Sequence, residues 1–234
     1  MKLFAGTSGF SYKEWKGTFY PAAHPDRQML AFYATRLPAV EINNTFYRMP
    51  TREALESWAG QVPLAFTFAL KAPQRITHRE RLEKSDDSLH AFLSVANVLG
   101  SRLGPLLFQL PPFQKKDLLR LQAFLAKVPS GVRVAFEFRH PSWFSEDAYE
   151  VMRAHGVALV AGDADDSGKS PPLVTTAPFG YLRLRAEEYD RPTLSAWADR
   201  IRDQPWTDAF VFLKHEVRGP EFAETLTELF EGRR

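Results

Sequence analysis

The sequence predicts an α/β fold of the TIM type, a (β/α)8 barrel with eight parallel strands in one domain over residues 1–234. Three observations carry that expectation. Apolar runs recur about every thirty residues, nearly all of them finish on a charged or amide residue, and helical periodicity fills most of the intervals. A strand covered by helices on its outside can carry charge only toward a solvated lumen, so polar strand ends point to one common mouth.

The run Tyr181–Leu182–Arg183–Leu184–Arg185 states the pattern most clearly, with two cations on one face of a strand and leucine on the other. Candidate strands fall at 3–6, 39–43, 66–71, 106–109, 134–139, 158–163, 181–185 and 209–214. Between them, 27–37 repeats Met29, Leu30, Tyr33 and Leu37, while 85–99 repeats Leu89, Phe92, Leu93 and Ala96. The segment 117–127 repeats Leu118, Leu121, Phe124 and Leu125. These are apolar helix faces able to cover a barrel. Thr51, Ser85 and Ser145 stand where helix N-caps are needed, and Gly100 and Gly156 where left-handed stops are needed. The rhythm breaks between strands six and seven, where Asp163 to Gly180 holds three prolines and predicts an irregular loop. The rival open, doubly wound sheet would carry a dinucleotide fingerprint after its first strand, and Gly6–Thr7–Ser8–Gly9 lacks that glycine spacing.

The chain has 234 residues, 44% hydrophobic and 25% charged, enough for one substantial core. A net charge of +2 argues against a protein coated with polyanion and leaves room for a local cationic cleft. Arginine outnumbers lysine, which suits planar recognition of carboxylate or phosphate, although a GC-rich genome explains it better. Cysteine is absent, so no disulfide, thiol nucleophile or cysteine-based metal centre can form. The N-terminus has no apolar leader and no later stretch approaches a membrane span, so a cytoplasmic protein without membrane contact is expected.

Same-face residues at the strand ends assemble the expected site: Thr7, Glu41 with Asn43, Thr67 with Lys71, Gln109, Glu137 with Arg139, Asp163, Arg183 with Arg185, and Lys214 or His215. Carboxylates among cations fit an anionic substrate clamped by the basic groups while an acid moves a proton. Glu137, Asp163, Lys71 and Glu41 are the catalytic candidates, Glu137 first among them for acid–base work. For each, a structural ion pair is the competing role. Lys71 is expected to hold an anion, with Schiff-base chemistry the lesser alternative. His78, His140 and His215 with Glu41, Glu137 and Asp163 leave a divalent metal as a minor alternative, unsupported by ligand spacing. The aromatics of the early loops, including Phe10, Tyr12, Trp15 and Tyr47, are more often packing than stacking platforms.

Gly-Thr-Ser-Gly-Phe-Ser-Tyr-Lys-Glu-Trp-Lys-Gly-Thr-Phe-Tyr-Pro (6–21), Val-Glu-Ile-Asn-Asn-Thr-Phe-Tyr-Arg (40–48), Phe-Ala-Leu-Lys-Ala-Pro (68–73) with Thr77-His78, Phe-Gln-Leu-Pro-Pro (108–112) and Phe-Glu-Phe-Arg-His-Pro-Ser-Trp (136–143) together resemble the YecE-like family, a domain of unknown function. The resemblance runs through nearly the whole chain. It implies a TIM-type barrel, agreeing with the strand count, and implies no established reaction. Family positions that look functional map onto Glu41, Asn43, Tyr47, Lys71, His78, Gln109, Glu137, Arg139, His140, Trp143, Asp163 and Arg183. Phe10 stands where a tryptophan is usual, and Phe-Leu-Lys-His-Glu (212–216) replaces an asparagine pair common in the last strand, so the resemblance assigns nothing to Lys214, His215 and Glu216. The substrate expected is a phosphorylated or otherwise anionic sugar, nucleotide or nucleic-acid end. The alternatives are a non-catalytic nucleic-acid or phosphate-binding protein and a metal-assisted phosphodiesterase. Oligomeric state leaves no mark on the sequence.

Overall fold

The computed structural model describes residues 1–163 and 170–232. Among them, eight parallel strands close into a barrel in chain order: β1 (Lys2–Ser8), β2 (Ala39–Ile42), β3 (Thr67–Lys71), β4 (Leu103–Gln109), β5 (Val134–Glu137), β6 (Ala158–Gly162), β7 (Phe179–Leu184) and β8 (Asp208–Leu213), with β1 pairing back onto β8. Every strand expected from sequence is present, with no end moved by more than three residues. The outer layer holds α1 (Met29–Arg36), the short α2 (Asn44–Tyr47), α3 (Arg52–Ala59), α4 (Asp86–Ala96), α5 (Leu118–Leu125), α6 (Glu146–Ala154), α7 (Arg191–Arg202) and α8 (Gly219–Glu231).

The side-chain alternation of each strand divides the apolar residues into two cores. Leu70, Phe108, Phe136, Leu182, Leu184 and Val211 point outward and pack under the helices. Phe4, Ala39, Ala69, Leu107, Ala135, Val160, Phe179, Tyr181, Phe210 and Phe212 point inward and fill the lumen. Phe4 stacks on Phe210 with centroids 4.8 Å apart, and small alanines on β2, β3 and β5 make room for these rings. The lower barrel is therefore solid, and only the C-terminal end remains to be lined by polar groups.

Helix starts are partly as the sequence predicts. Thr51 Oγ1 accepts from the Ala54 amide, and Asp117 and Asp190 cap α5 and α7 in the same way. Ser85 and Ser145 occupy N-cap positions without bonding a helix amide through their hydroxyls, and Ser145 Oγ instead accepts from Lys116 Nζ. Gly100 and Gly156 take positive φ, 55° and 62°, where the sequence places left-handed stops. Of the irregular connection expected between β6 and β7, residues 164–169 lie outside the described residues, and 170–178 carry neither helix nor strand. Thr176 ties this segment to the barrel, its Oγ1 donating to Val157 O and accepting from Leu159 N.

Candidate functional site

Register brings the inward residues of the last strand pleat together. Ser8 pairs in register with Glu41 and Gln109 with Glu137, so four strands deliver polar side chains at one height. Arg183 extends between them from β7. Its Nη2 donates to Glu41 Oε1 at 2.8 Å and its Nη1 to Glu137 Oε2 at 2.6 Å, and all three residues are buried. Glu41 also accepts from Ser8 Oγ (2.8 Å), Asn43 Nδ2 (2.9 Å) and Tyr181 Oη (2.7 Å). Glu137 Oε1 accepts from Arg185 at 2.6 Å and, more weakly, from Arg139 at 3.5 Å.

This pairing decides the protonation states. Burial alone would raise the Glu137 carboxyl, but Arg183, Arg185 and Arg139 outweigh it and hold it well below the ordinary carboxylate range. Glu41 is likewise opposed by burial and lowered by Arg183 and by its hydrogen bonds from Tyr181, Ser8 and Asn43. Burial raises the Tyr181 hydroxyl well above its usual value, so it stays a donor. Glu137 is thus held as an anion among arginines, the structural ion pair that the sequence sets beside its acid–base role. Its ion-pair partners are Arg183 and Arg185 with Arg139, and Lys71 is not among them.

Lys71 stands apart from these ion pairs. Its Nζ donates to Gln109 Oε1 at 2.7 Å and lies 4.2 Å from the centroid of the Phe46 ring. Thr45 Oγ1 fastens α2 to Lys71 O at 2.7 Å, which sets Phe46 in place. Burial first, and then the nearby Arg183, lower the ammonium to about 8, against the pull of Glu137 and Glu41.

Above these groups lies a cavity of about 190 Å³ lined by Ser8, Tyr12, Asn43, Tyr47, Lys71, Gln109, Arg139, Arg183, Arg185 and Lys214. Five of the ten are cations, and the two glutamates beneath are already paired, so the opening is positive. Gln109 Nε2 and the Nε atoms of Arg183 and Arg185 are buried donors without an acceptor. Eight residues named from sequence therefore meet at this cavity: Asn43, Tyr47, Lys71, Gln109, Arg139, Arg183, Arg185 and Lys214. Glu41 and Glu137 lie directly below them.

Others do not arrive. Asp163 follows Gly162, and it is Gly162 whose position on β6 faces inward. A Cβ there would stand 2.0 Å from Arg183 O, so the close approach of β7 demands glycine. Asp163 consequently turns outward. Its Oδ1 accepts from the Arg185 amide (2.7 Å) and Tyr189 Oη (2.6 Å), and its Oδ2 from Trp197 Nε1 (3.2 Å), holding the connection from β7 to α7. The same one-residue parity turns Thr7 outward onto Tyr33 Oη (2.8 Å) and gives Ser8 the lumen. Trp143 is 1% exposed, stacks on Phe138 at 4.2 Å and donates to Gln114 O, which is packing. His140 caps the turn 141–143 through Nδ1 and Ser142. His78 bonds Thr77 Oγ1 and meets the Phe46 ring at a steep angle with centroids 5.0 Å apart; burial and then Lys71 lower its imidazole.

Among the described residues no three His, Asp or Glu side chains gather to hold a metal. The glutamates face guanidinium groups, and His215 Nδ1 accepts from the amides of Val217 and Arg218, so the residues suggested from sequence do not fit a metal centre. Of the strand-eight group, Lys214 lines the cavity, while Glu216 offers its backbone carbonyl to Trp15 Nε1. Ser8, Tyr12 and Tyr181 are the residues that sequence reasoning missed as site members. Tyr181 was legible by parity, two residues before Arg183 on the same face. No helix among the described residues is long and apolar enough to cross a membrane.

Comparison with known proteins matches this architecture. The chain is 34% identical to the UPF0759 protein YecE of Escherichia coli K12 over 126 residues, covering 53% of this chain and 46% of the relative. It is 28% identical to the UPF0759 protein YunF of Bacillus subtilis 168 over 166 residues, covering 66% and 58%. The chain thus spans about half the length of the curated relatives it matches. The crystal structure of a DUF72 family protein from Thermotoga maritima superposes with a TM-score of 0.79 at 24% identity, covering 99% of this chain and 100% of that one. More distant barrels include a methyltransferase from Methanosarcina mazei, at TM-score 0.57 and 12% identity over 100% and 93%, a likeness of fold alone. The family described as "Protein of unknown function DUF72" matches residues 4–234, and the chain belongs to that family.

Proposed function

We propose that this barrel is an enzyme whose mouth binds a small substrate bearing a phosphate or carboxylate group. The observation that carries the reading is a cavity half lined by cations, with Gln109 Nε2 and two guanidinium Nε atoms left without acceptors above fully paired glutamates. An arriving anion would satisfy those donors and meet Arg139 and Lys214 at the rim. Arg183, whose Nη atoms hold Glu41 and Glu137, has only its Nε left for the anion. Lys71, its ammonium lowered to about 8, is a cavity group able to give up a proton near neutrality, and His78, lowered below the usual imidazole value and packed against Phe46, is a neutral base beside it. Calorimetric titration with inorganic phosphate and small sugar phosphates at low salt tests this. Binding weakened at least tenfold in Arg139→Ala with Lys214→Ala supports the reading, and equal binding in that variant contradicts it.

A second reading, in which the anion is a nucleic-acid end, is favoured by one feature. A groove of about 560 Å³ lined by Phe46, Tyr47, Arg48, Arg75 and Arg79 shares Tyr47 with the cavity. Affinity for a 5′-phosphorylated oligonucleotide that falls steeply with salt, and falls again in Tyr47→Ala, would select it; no measurable affinity at low salt would remove it.

A further inference from the structure

The placement of Lys71 suits neither of the usual duties of a buried lysine. A lysine kept to neutralise a carboxylate is found paired with one, yet among the described residues Lys71 forms no ion pair, and Glu41 and Glu137 are committed to Arg183 and Arg185. A lysine kept as a permanent cation gains from anionic neighbours, yet here the pull of Glu137 and Glu41 is outweighed by burial and by the nearby Arg183, and the residue is 9% exposed. What fixes it is neutral: the Gln109 amide oxygen on one side and the Phe46 ring on the other. Both hold the amine without adding negative charge, and both leave Nζ on the cavity wall.

We propose that Lys71 is a catalytic amine that forms an imine with a small carbonyl compound carrying an anionic group, the anion resting on Arg139, Lys214 and Gln109 Nε2. The inference rests on the anion-binding reading above and adds to it the substrate class and the bond formed. The Nζ lone pair attacks the carbonyl carbon, and the oxygen, protonated, gives a carbinolamine. The C–O bond then breaks, and water leaves with the former carbonyl oxygen, one amine hydrogen and one proton taken from solvent, leaving a protonated imine on Lys71. No oxidant or reductant is consumed. With the ammonium lowered to about 8, the free-amine fraction at pH 7.5 exceeds that of an ordinary lysine on the order of 100-fold. The cationic rim orients the anion.

The experiment is reductive trapping of the full chain. The protein is incubated with pyruvate, and separately with dihydroxyacetone phosphate, in the presence of cyanoborohydride, which delivers hydride to the imine carbon and leaves a stable secondary amine. Intact mass and peptide mapping then locate the adduct. The expected result is a single adduct on the Lys71 peptide with one of the two compounds, at least tenfold above the exposed Lys84 and Lys115, and absent in Lys71→Arg. Gln109→Glu serves as a second variant. By placing a carboxylate beside the amine it should raise the pH midpoint of trapping and cut the yield at pH 7.5 at least tenfold. Yield at Lys71 no greater than at Lys84 and Lys115, or a pH profile unchanged in Gln109→Glu, overturns the proposal. Loss of trapping with phosphate binding intact removes the imine and leaves the anion site standing; loss of both removes the two together.

Discussion

Arg183 Nη1 stands 2.6 Å from Glu137 Oε2 with both side chains buried, and this pair is the fixed point of the barrel mouth. Removing one member strands the other. Arg183→Met leaves Glu41 and Glu137 as buried carboxylates without their principal cation, so a loss of about 3–5 kcal/mol is expected in chemical denaturation at pH 7. The triple change that also converts both glutamates to glutamine should cost less than the single one, because no buried charge is then left unpaired.

Acid should find the same weakness. Glu41 and Glu137 have folded-state values below their unfolded ones, so their contribution is fully present above the unfolded carboxylate value near pH 4.3 and is lost as pH falls toward the folded values. Stability measured from pH 7 to pH 3 should therefore drop below about pH 4.5. In Glu137→Gln the drop should be shallower from a lower starting point.

Lys71 behaves oppositely. Its folded value is below its unfolded one, so the protonated form penalises the folded state at pH 7, and the penalty fades as pH rises from about 8 toward the ordinary lysine range. Lys71→Met should consequently leave stability at pH 7 unchanged or raise it by about 1–2 kcal/mol. Quantitative amine labelling should place the Lys71 midpoint near 8, with phosphate slowing the reaction.

Gly162→Ala should be among the most damaging single changes. The added methyl meets Arg183 O at 2.0 Å, so β6 and β7 must part and Arg183 must leave its glutamates. A loss of about 3 kcal/mol or more is expected, with anion binding lost in whatever protein still folds. Tyr47→Ala, at a residue 74% exposed, should alter stability by less than about 0.5 kcal/mol while weakening any ligand that reaches the rim.

The barrel was legible because each strand announces itself twice, by an apolar run and by the polar residue that ends it. Arg183 and Arg185 flanked by Leu182 and Leu184 already state which face is the lumen, and the structure agrees. Parity was harder to read where a small residue ends the strand. At Gly162–Asp163 and at Thr7–Ser8 the conspicuous or preferred residue faces outward and its quiet neighbour faces inward, since backbone crowding against β7 decides the first and Tyr33 the second. Electrostatic roles were less legible still. Whether Glu137 shuttles protons or anchors guanidinium groups depends on which arginines reach it from β7, two strands away, and no spacing along the chain encodes that. Trp143 illustrates the same limit for aromatics, since only the fold shows that Phe138 covers it.

The most direct test of an anion site at this mouth is a crystal of the protein soaked in tungstate at low ionic strength, with the metal located by anomalous scattering. The account predicts a peak in the cavity within hydrogen-bonding reach of Gln109 Nε2 and Arg139, diminished in Arg139→Ala with Lys214→Ala. An unoccupied cavity at saturating tungstate, or a peak confined to surface arginines elsewhere, would contradict it.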